Sequence, residues 1–87
     1  MAQNYQEHIL KALEQLGEKG LKKFKWFLQQ EILDGFDPIL KNNLEKADEA
    51  DTVDQMVETY TLEGAVKITG EILTKMKRND LAKRLGW

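Results

Sequence analysis

Few residues in this chain could do chemistry. The only histidine is His8, and the sequence holds no cysteine. Neither a thiolate centre nor an imidazole-rich metal site can be assembled from that set. Asp51 and Asp54 form the most suggestive carboxylate pair. Their spacing places them on the outer face of a helix, where nothing withdraws them from water as acid–base catalysis would need. Gly17-Glu-Lys-Gly20 is too short and wrongly placed to cradle a phosphate. No catalytic group, cofactor, metal or small-molecule ligand is therefore expected, and the chain reads as a non-enzyme. Lys22-Lys23-Phe24-Lys25-Trp26-Phe27 mixes bases with aromatics, a pattern used on nucleic acid. Phe24, however, belongs to an apolar stripe. The acids after Asp48 would also repel phosphate unless they lay on the far side of the fold.

The distribution of charge says more than its net value of −2. Lys19, Lys22, Lys23 and Lys25 form a basic run without an acid. Asp48, Glu49, Asp51, Asp54, Glu58 and Glu63 follow as an acidic run without a base, and the tail from Lys75 through Lys77, Arg78, Lys83 and Arg84 is basic again apart from Asp80. A surface segmented in this way can bind a copy of itself, because each molecule carries both signs.

These charges must be held by helices. Apolar residues recur at helical spacing, proline occurs once (Pro38), and β-type alternation is missing. Tyr5, Ile9, Ala12, Leu13 and Leu16 line a first helix from about Asn4 to Leu16, closed by a junction between Gly17 and Gly20. Leu21, Phe24, Leu28 and Ile32 line a second, ending near Asp34. Gly35 to Pro38 reads as a loop. A short third helix is expected to turn Leu40 and Leu44 inward. Val53, Met56, Val57 and Tyr60 mark a fourth, capped by Asp51 or Thr52. Ala65, Ile68, Thr69, Ile72, Leu73 and Met76 mark a fifth, and Asn79-Asp80 is placed to cap a last one carrying Leu81, Ala82 and Leu85. With 41% hydrophobic residues and no disulfide, one packed core must supply the stability. No apolar run reaches the roughly 20 residues of a membrane helix, and Met1 to Gln6 lacks a secretory pattern, so a cytoplasmic setting without membrane contact is expected.

Ile9-Leu-Lys-Ala-Leu-Glu-Gln-Leu16 followed by Leu21-Lys-Lys-Phe-Lys25 closely resembles the opening of pyrin domains. The likeness continues in order through Leu44-Glu-Lys-Ala-Asp48, Met56-Val57, Tyr60, Ala65-Val66, Thr69 and Leu73, then Asn79-Asp80-Leu81-Ala82 and Arg84-Leu85. The resemblance implies one pyrin domain over 1–87, an all-α, six-helix antiparallel bundle of the death fold with a short or irregular third helix. It implies a place at the N-terminus of a longer protein, as in NOD-like receptor sensors, the inflammasome adaptor, cytosolic DNA sensors and some inflammatory caspases. It further implies recruitment of other pyrin domains, among them the inflammasome adaptor, and growth into filaments.

The best-described contact of that family joins a basic face of the second and third helices to an acidic face of the first and fourth. Carried onto this chain, the basic side holds Lys22 and Lys41, and the acidic side holds Glu14, Asp48, Asp51 and Asp54. Placement around the second helix adds Lys23 and Trp26, and the basic run adds Lys25. Trp26 points away from the Leu21/Phe24/Leu28 stripe, either as an interface anchor or as a cover over the connection around Phe36. The chain departs from the family at Phe27, where the adaptor has a lysine, at Ile39-Leu40-Lys41, where many members place a proline, and at Gly20, where an acid is usual. Two readings stand beside homotypic assembly: a nucleic-acid-binding helical domain, and a pyrin-only regulator that blocks assembly.

Overall fold

The structure is a computed structural model that describes residues 5–30 and 35–85. Expectations for Asn4, Ile32, Asp34 and Trp87 lie outside the described residues. Four helices follow one another, α1 (Tyr5–Leu28), α2 (Lys41–Leu44), α3 (Glu49–Lys75) and α4 (Asn79–Arg84), with no strand among the described residues. Most of α1 packs on α3, α4 closes against both, and the single turn of α2 rests on α3.

Both long helices are broken by one residue in an extended, positive-φ conformation. In α1 it is Gly17 (φ 76°, ψ 178°), and in α3 it is Thr61 (φ 69°, ψ 169°). Glycine tolerates this region, whereas a β-branched residue is held there against its own sterics. Thr61 gives something back, because its Oγ1 accepts from the Gly64 amide at 3.4 Å, as a cap does at the start of a helix. The breaks matter for packing because each half of a long helix turns its own stripe toward one centre.

That centre holds Ile9 and Leu13 from before Gly17, Phe24 and Leu28 from after it, Met56 from before Thr61, and Ile68, Ile72 and Leu73 from after it. Leu44, Leu81 and Leu85 complete it from the shorter elements. Phe24 is fully buried. Truncating such a side chain costs about 3–5 kcal/mol, a large share of the roughly 5–15 kcal/mol that holds a small domain together.

Three sequence-based expectations are corrected. The cap of α3 is Asp48, not Asp51 or Thr52: Asp48 Oδ1 accepts from the Asp51 amide at 2.8 Å, and Asp51 Oδ2 accepts from the Asp48 amide at 3.5 Å. Thr52 is buried and donates its hydroxyl to the Asp48 carbonyl at 2.7 Å. Leu40 does not face inward; it is 68% exposed and Ile39 takes the core position. Pro38 and the Ile39 amide, bonded to the Leu28 carbonyl at 2.9 Å, hold this segment extended before α2. Finally, the residue before α4 is Arg78, with no side-chain cap. Asp80 instead accepts from the Arg78 guanidinium at 3.4 Å, and that hydrogen bond holds its carboxyl below the usual range.

The α3 end is closed by Lys77 in the left-handed region (φ 63°), with Arg78 N bonded to Leu73 O and Lys77 N bonded to Thr74 O. This pair of bonds satisfies the terminal carbonyls of a helix and usually has glycine at the position of Lys77.

Candidate functional site

The helical period sends Lys22, Lys23, Trp26 and Gln30 outward from the buried Leu21, Phe24 and Leu28, and all four are exposed. The fold then brings Lys41 to the same place. A groove between the second half of α1 and α2 is lined by Lys22, Lys25 and Lys41 over Leu21, Leu44 and Ala47, with Glu18, Gln29 and Glu45 on its margin. Lys25 differs from its neighbours. It is half-buried, and its ammonium donates to the Ala47 carbonyl at 2.7 Å. Its charge contributes to the groove, while its hydrogen bond ties α1 to the chain that enters α3.

Trp26 is 54% exposed. Its ring meets Phe27 edge to face at 5.1 Å, whereas Phe36 lies on Tyr60 at 5.4 Å. Phe27 packs half-buried against the core.

The acids are distributed over more than one depression. Asp51, Asp54 and Glu58 line one with Asn42, Asn43, Lys46 and Gln55. Asp54 also borders a groove between the first half of α1 and the start of α3, with Gln6, Glu7, Leu10, Ala50 and Val53. Gln6 Nε2 donates to Asp54 Oδ1 at 3.3 Å across that junction. Asp48 is exposed but occupied as the cap of α3. Glu14 stands apart, in a depression shared with His8, Lys11 and Leu81 where α1 meets α4. Lys22 and Lys41 are thus gathered, Asp51 and Asp54 are gathered, and Glu14 is not with them.

Among the described residues the ion pairs are Lys11–Glu7 at 3.1 Å and Arg78–Asp80 at 3.4 Å. The lysines of the α1/α2 groove and the aspartates of α3 are therefore not neutralised by one another. Water screens each of them, and either set remains available to an opposite charge from outside.

His8 is partly covered, with its ring against Tyr5 at 5.9 Å and its Nδ1 buried without a hydrogen-bond partner. No group of His, Cys, Asp and Glu suited to a metal ion occurs among the described residues, nor does any helix there have the length and apolarity to cross a membrane. Sequence reasoning missed Leu40 as a surface residue. Its neighbour Ile39 was the available signal, since two successive residues of an extended segment point opposite ways.

Comparison with known proteins follows the same outline. The family model described as PAAD/DAPIN/Pyrin domain matches residues 8–83. The chain is 44% identical over 73 residues to caspase b of Danio rerio, covering 84% of this chain and 18% of that protein. It is 38% identical over 86 residues to the apoptosis-associated speck-like protein containing a CARD, also of Danio rerio, covering 98% of this chain and 41% of that protein. With NACHT, LRR and PYD domains-containing protein 6 of Mus musculus it shares 35% over 79 residues, 91% of this chain and 9% of that protein. The chain thus spans less than half the length of each of these relatives.

Proposed function

This chain belongs to the pyrin domain family, and on that premise we propose that it is a homotypic interaction module, without catalysis, that joins other pyrin domains through oppositely charged faces in inflammasome signalling. The observation that carries the reading is the separation of charge on one small body. Lys22, Lys25 and Lys41 share one groove, while Asp51 and Asp54 share another depression on the start of α3. Asp48 lies beside the acidic side, Lys23 and Trp26 beside the basic one, and Glu14, which stands apart where α1 meets α4, is left out of the face. Its partners are pyrin domains of the kind carried by the adaptor and receptor relatives, and its setting is the cytoplasm. The breaks at Gly17 and Thr61, which interrupt α1 and α3, support reading the four helices as a six-helix bundle of the death fold.

Magnitudes favour assembly over simple pairing. An exposed ion pair is worth about 0.2–1 kcal/mol, so a few of them barely offset the entropy of bringing two domains together. Because the two faces differ, the contact need not close, and molecules can add head to tail into a filament whose many weak contacts act together. The domain is then largely monomeric when dilute and assembles above a threshold, sooner at low salt.

The test is light scattering and electron microscopy of the purified domain across concentration and salt. Lys22→Glu and Asp54→Lys should each keep the helical signal and lose assembly. Mixing the two variants should restore pairing, since each supplies the face that the other lacks. Assembly of Asp54→Lys at the parent's threshold would remove Asp54 from the acidic face. A salt-dependent mobility shift with duplex DNA would favour the nucleic-acid alternative instead.

A further inference from the structure

Thr61 is the only non-glycine residue inside a described helix with a positive φ. A β-branched side chain is strained at these angles, φ 69° and ψ 169°. Its one return, the hydrogen bond from the Gly64 amide, is long at 3.4 Å. The same break constrains Gly64. A Cβ there would stand 3.0 Å from Tyr60 Cβ and 3.1 Å from the Phe36 ring. In an uninterrupted helix, residues four apart keep their Cβ atoms about 5–6 Å apart. Both constraints vanish if α3 runs straight, and residues 58–65 hold no proline to forbid it. Gly17 is the contrast, because glycine takes the same backbone angles without strain.

A straight α3 cannot serve one molecule. At 100° per residue, Val53, Met56 and Tyr60 make one stripe, and Ala65, Ile68, Ile72 and Leu73 make another roughly 150° away. The break at Thr61 swings the second stripe toward the first, into a shared core. With the helix straight, each stripe needs a core of its own, and a second copy of the chain supplies it. We propose that Thr61 is a strained hinge for exchange of residues 62–85 between two copies of this chain. A straightened α3 then spans two lobes, and each lobe is completed by the 62–85 segment of the other copy.

The core contacts of the closed form are remade across the exchange, as in any swapped dimer. The gain is relief of strain at two threonines, and the cost is the entropy of joining two chains. Dilute chains therefore stay closed, while chains concentrated as they fold exchange. Lys22, Lys41, Asp51 and Asp54 all precede the hinge, so each lobe keeps its own charged faces. The exchange rests on the core and does not depend on how those faces are used.

The test is refolding from urea at rising concentration in high salt, where contacts between exposed charges are screened, followed by size-exclusion chromatography with light scattering. The parent should give a discrete dimer that survives dilution. Isotope-labelled and unlabelled dimers, once mixed, should trade chains only on heating into the unfolding transition, because exchange requires the core to open. Thr61→Gly should lower the yield of dimer at least about tenfold, since it removes strain from the closed form alone. Gly64→Ala should raise the yield about tenfold, by crowding the closed form and favouring the helix. Where Gly64→Ala fails to fold, Thr61→Ala should do the same, because alanine keeps the strain of the closed form and suits a straight helix better. A parent that refolds only to monomer at every concentration would overturn the hinge. So would a dimer that trades chains at room temperature, or one whose yield ignores Thr61→Gly. Assembly of Lys22→Glu at the parent's threshold would instead remove the charged-face reading and leave the hinge intact.

Discussion

Lys25 and Ala47 meet through a 2.7 Å hydrogen bond from the lysine ammonium to the backbone carbonyl, 22 residues apart in sequence. One member of the basic run therefore holds the second half of α1 to the turn that precedes α3. Hydrogen bonds from charged donors outweigh neutral ones, and a partly buried carbonyl left unsatisfied carries its own cost. Lys25→Ala should lose about 1–2 kcal/mol in urea unfolding. Lys22→Glu, fully outside, should stay within about 0.5 kcal/mol of the parent. An equal loss from both would mean that the Lys25 bond contributes nothing.

Asp48 and Asp54 are both acids of the same helix start, but they answer to different measurements. Asp48 caps α3 and exchanges bonds with Asp51. Asp48→Ala should destabilise by about 1 kcal/mol, and Asp48→Asn should recover most of that loss because it still accepts. Asp54→Lys should alter assembly with little effect on thermal stability. Chemical denaturation run beside light scattering separates the two.

The hydroxyl of Tyr60 donates to the Asp37 carbonyl at 2.6 Å and fastens the 35–40 segment to α3. Burial, with help from the Asp37 carboxylate, pushes its pKa up to about 12. The neutral form is thus favoured by folding, so this stabilisation is complete below about 10, the ordinary tyrosine value, and fades as pH rises toward about 12. Stability of the parent should fall across that window, whereas Tyr60→Phe should start about 1 kcal/mol lower and lack this component of the slope. Urea midpoints followed from pH 9 to about 12 would show the difference, and parallel curves would contradict it.

Gly17 and Thr61 share one backbone conformation but not one residue type. Thr61→Gly should stabilise by about 1 kcal/mol, the relief of strain minus a few tenths for the weaker cap. Gly17→Ala should destabilise by about 1–3 kcal/mol, even though a Cβ there would meet nothing within 4 Å. The cost lies in the backbone and not in a clash. Thermal melts of the two variants should move in opposite directions.

How much of this was legible depended on whether a local pattern was decisive. Ile9/Leu13 and Ile68/Ile72/Leu73 recur over enough turns that only a helix buries them together, and they are buried. Gly17 announced its break because glycine is suited to positive φ. Thr61 did not, since nothing in threonine suggests that conformation; the only hint was the change of stripe between Tyr60 and Ala65. The cap of α3 was ambiguous, because Asp48, Asp51 and Thr52 lie within one turn and the choice falls where the backbone leaves Ala47. Adjacent Ile39 and Leu40 defeat periodicity in so short a segment. The outward lysines of α1 followed from helical geometry, whereas the bonding role of half-buried Lys25 depends on a carbonyl that only tertiary packing brings near.

The bend at Gly17 has a geometric consequence for any polymer built from this domain. Gln6 and Glu7 ride on the helix before it, and Lys22 and Lys25 ride on the helix after it. If the charged faces join copies as proposed, the bend at this glycine contributes to the angle between the acidic and the basic face. Repeated along such a strand, that angle would enter the rotation per subunit. Inserting one residue at the bend would turn the second half by about 100° and carry Phe24 and Leu28 away from the core, so the angle is fixed by the same packing that holds the fold.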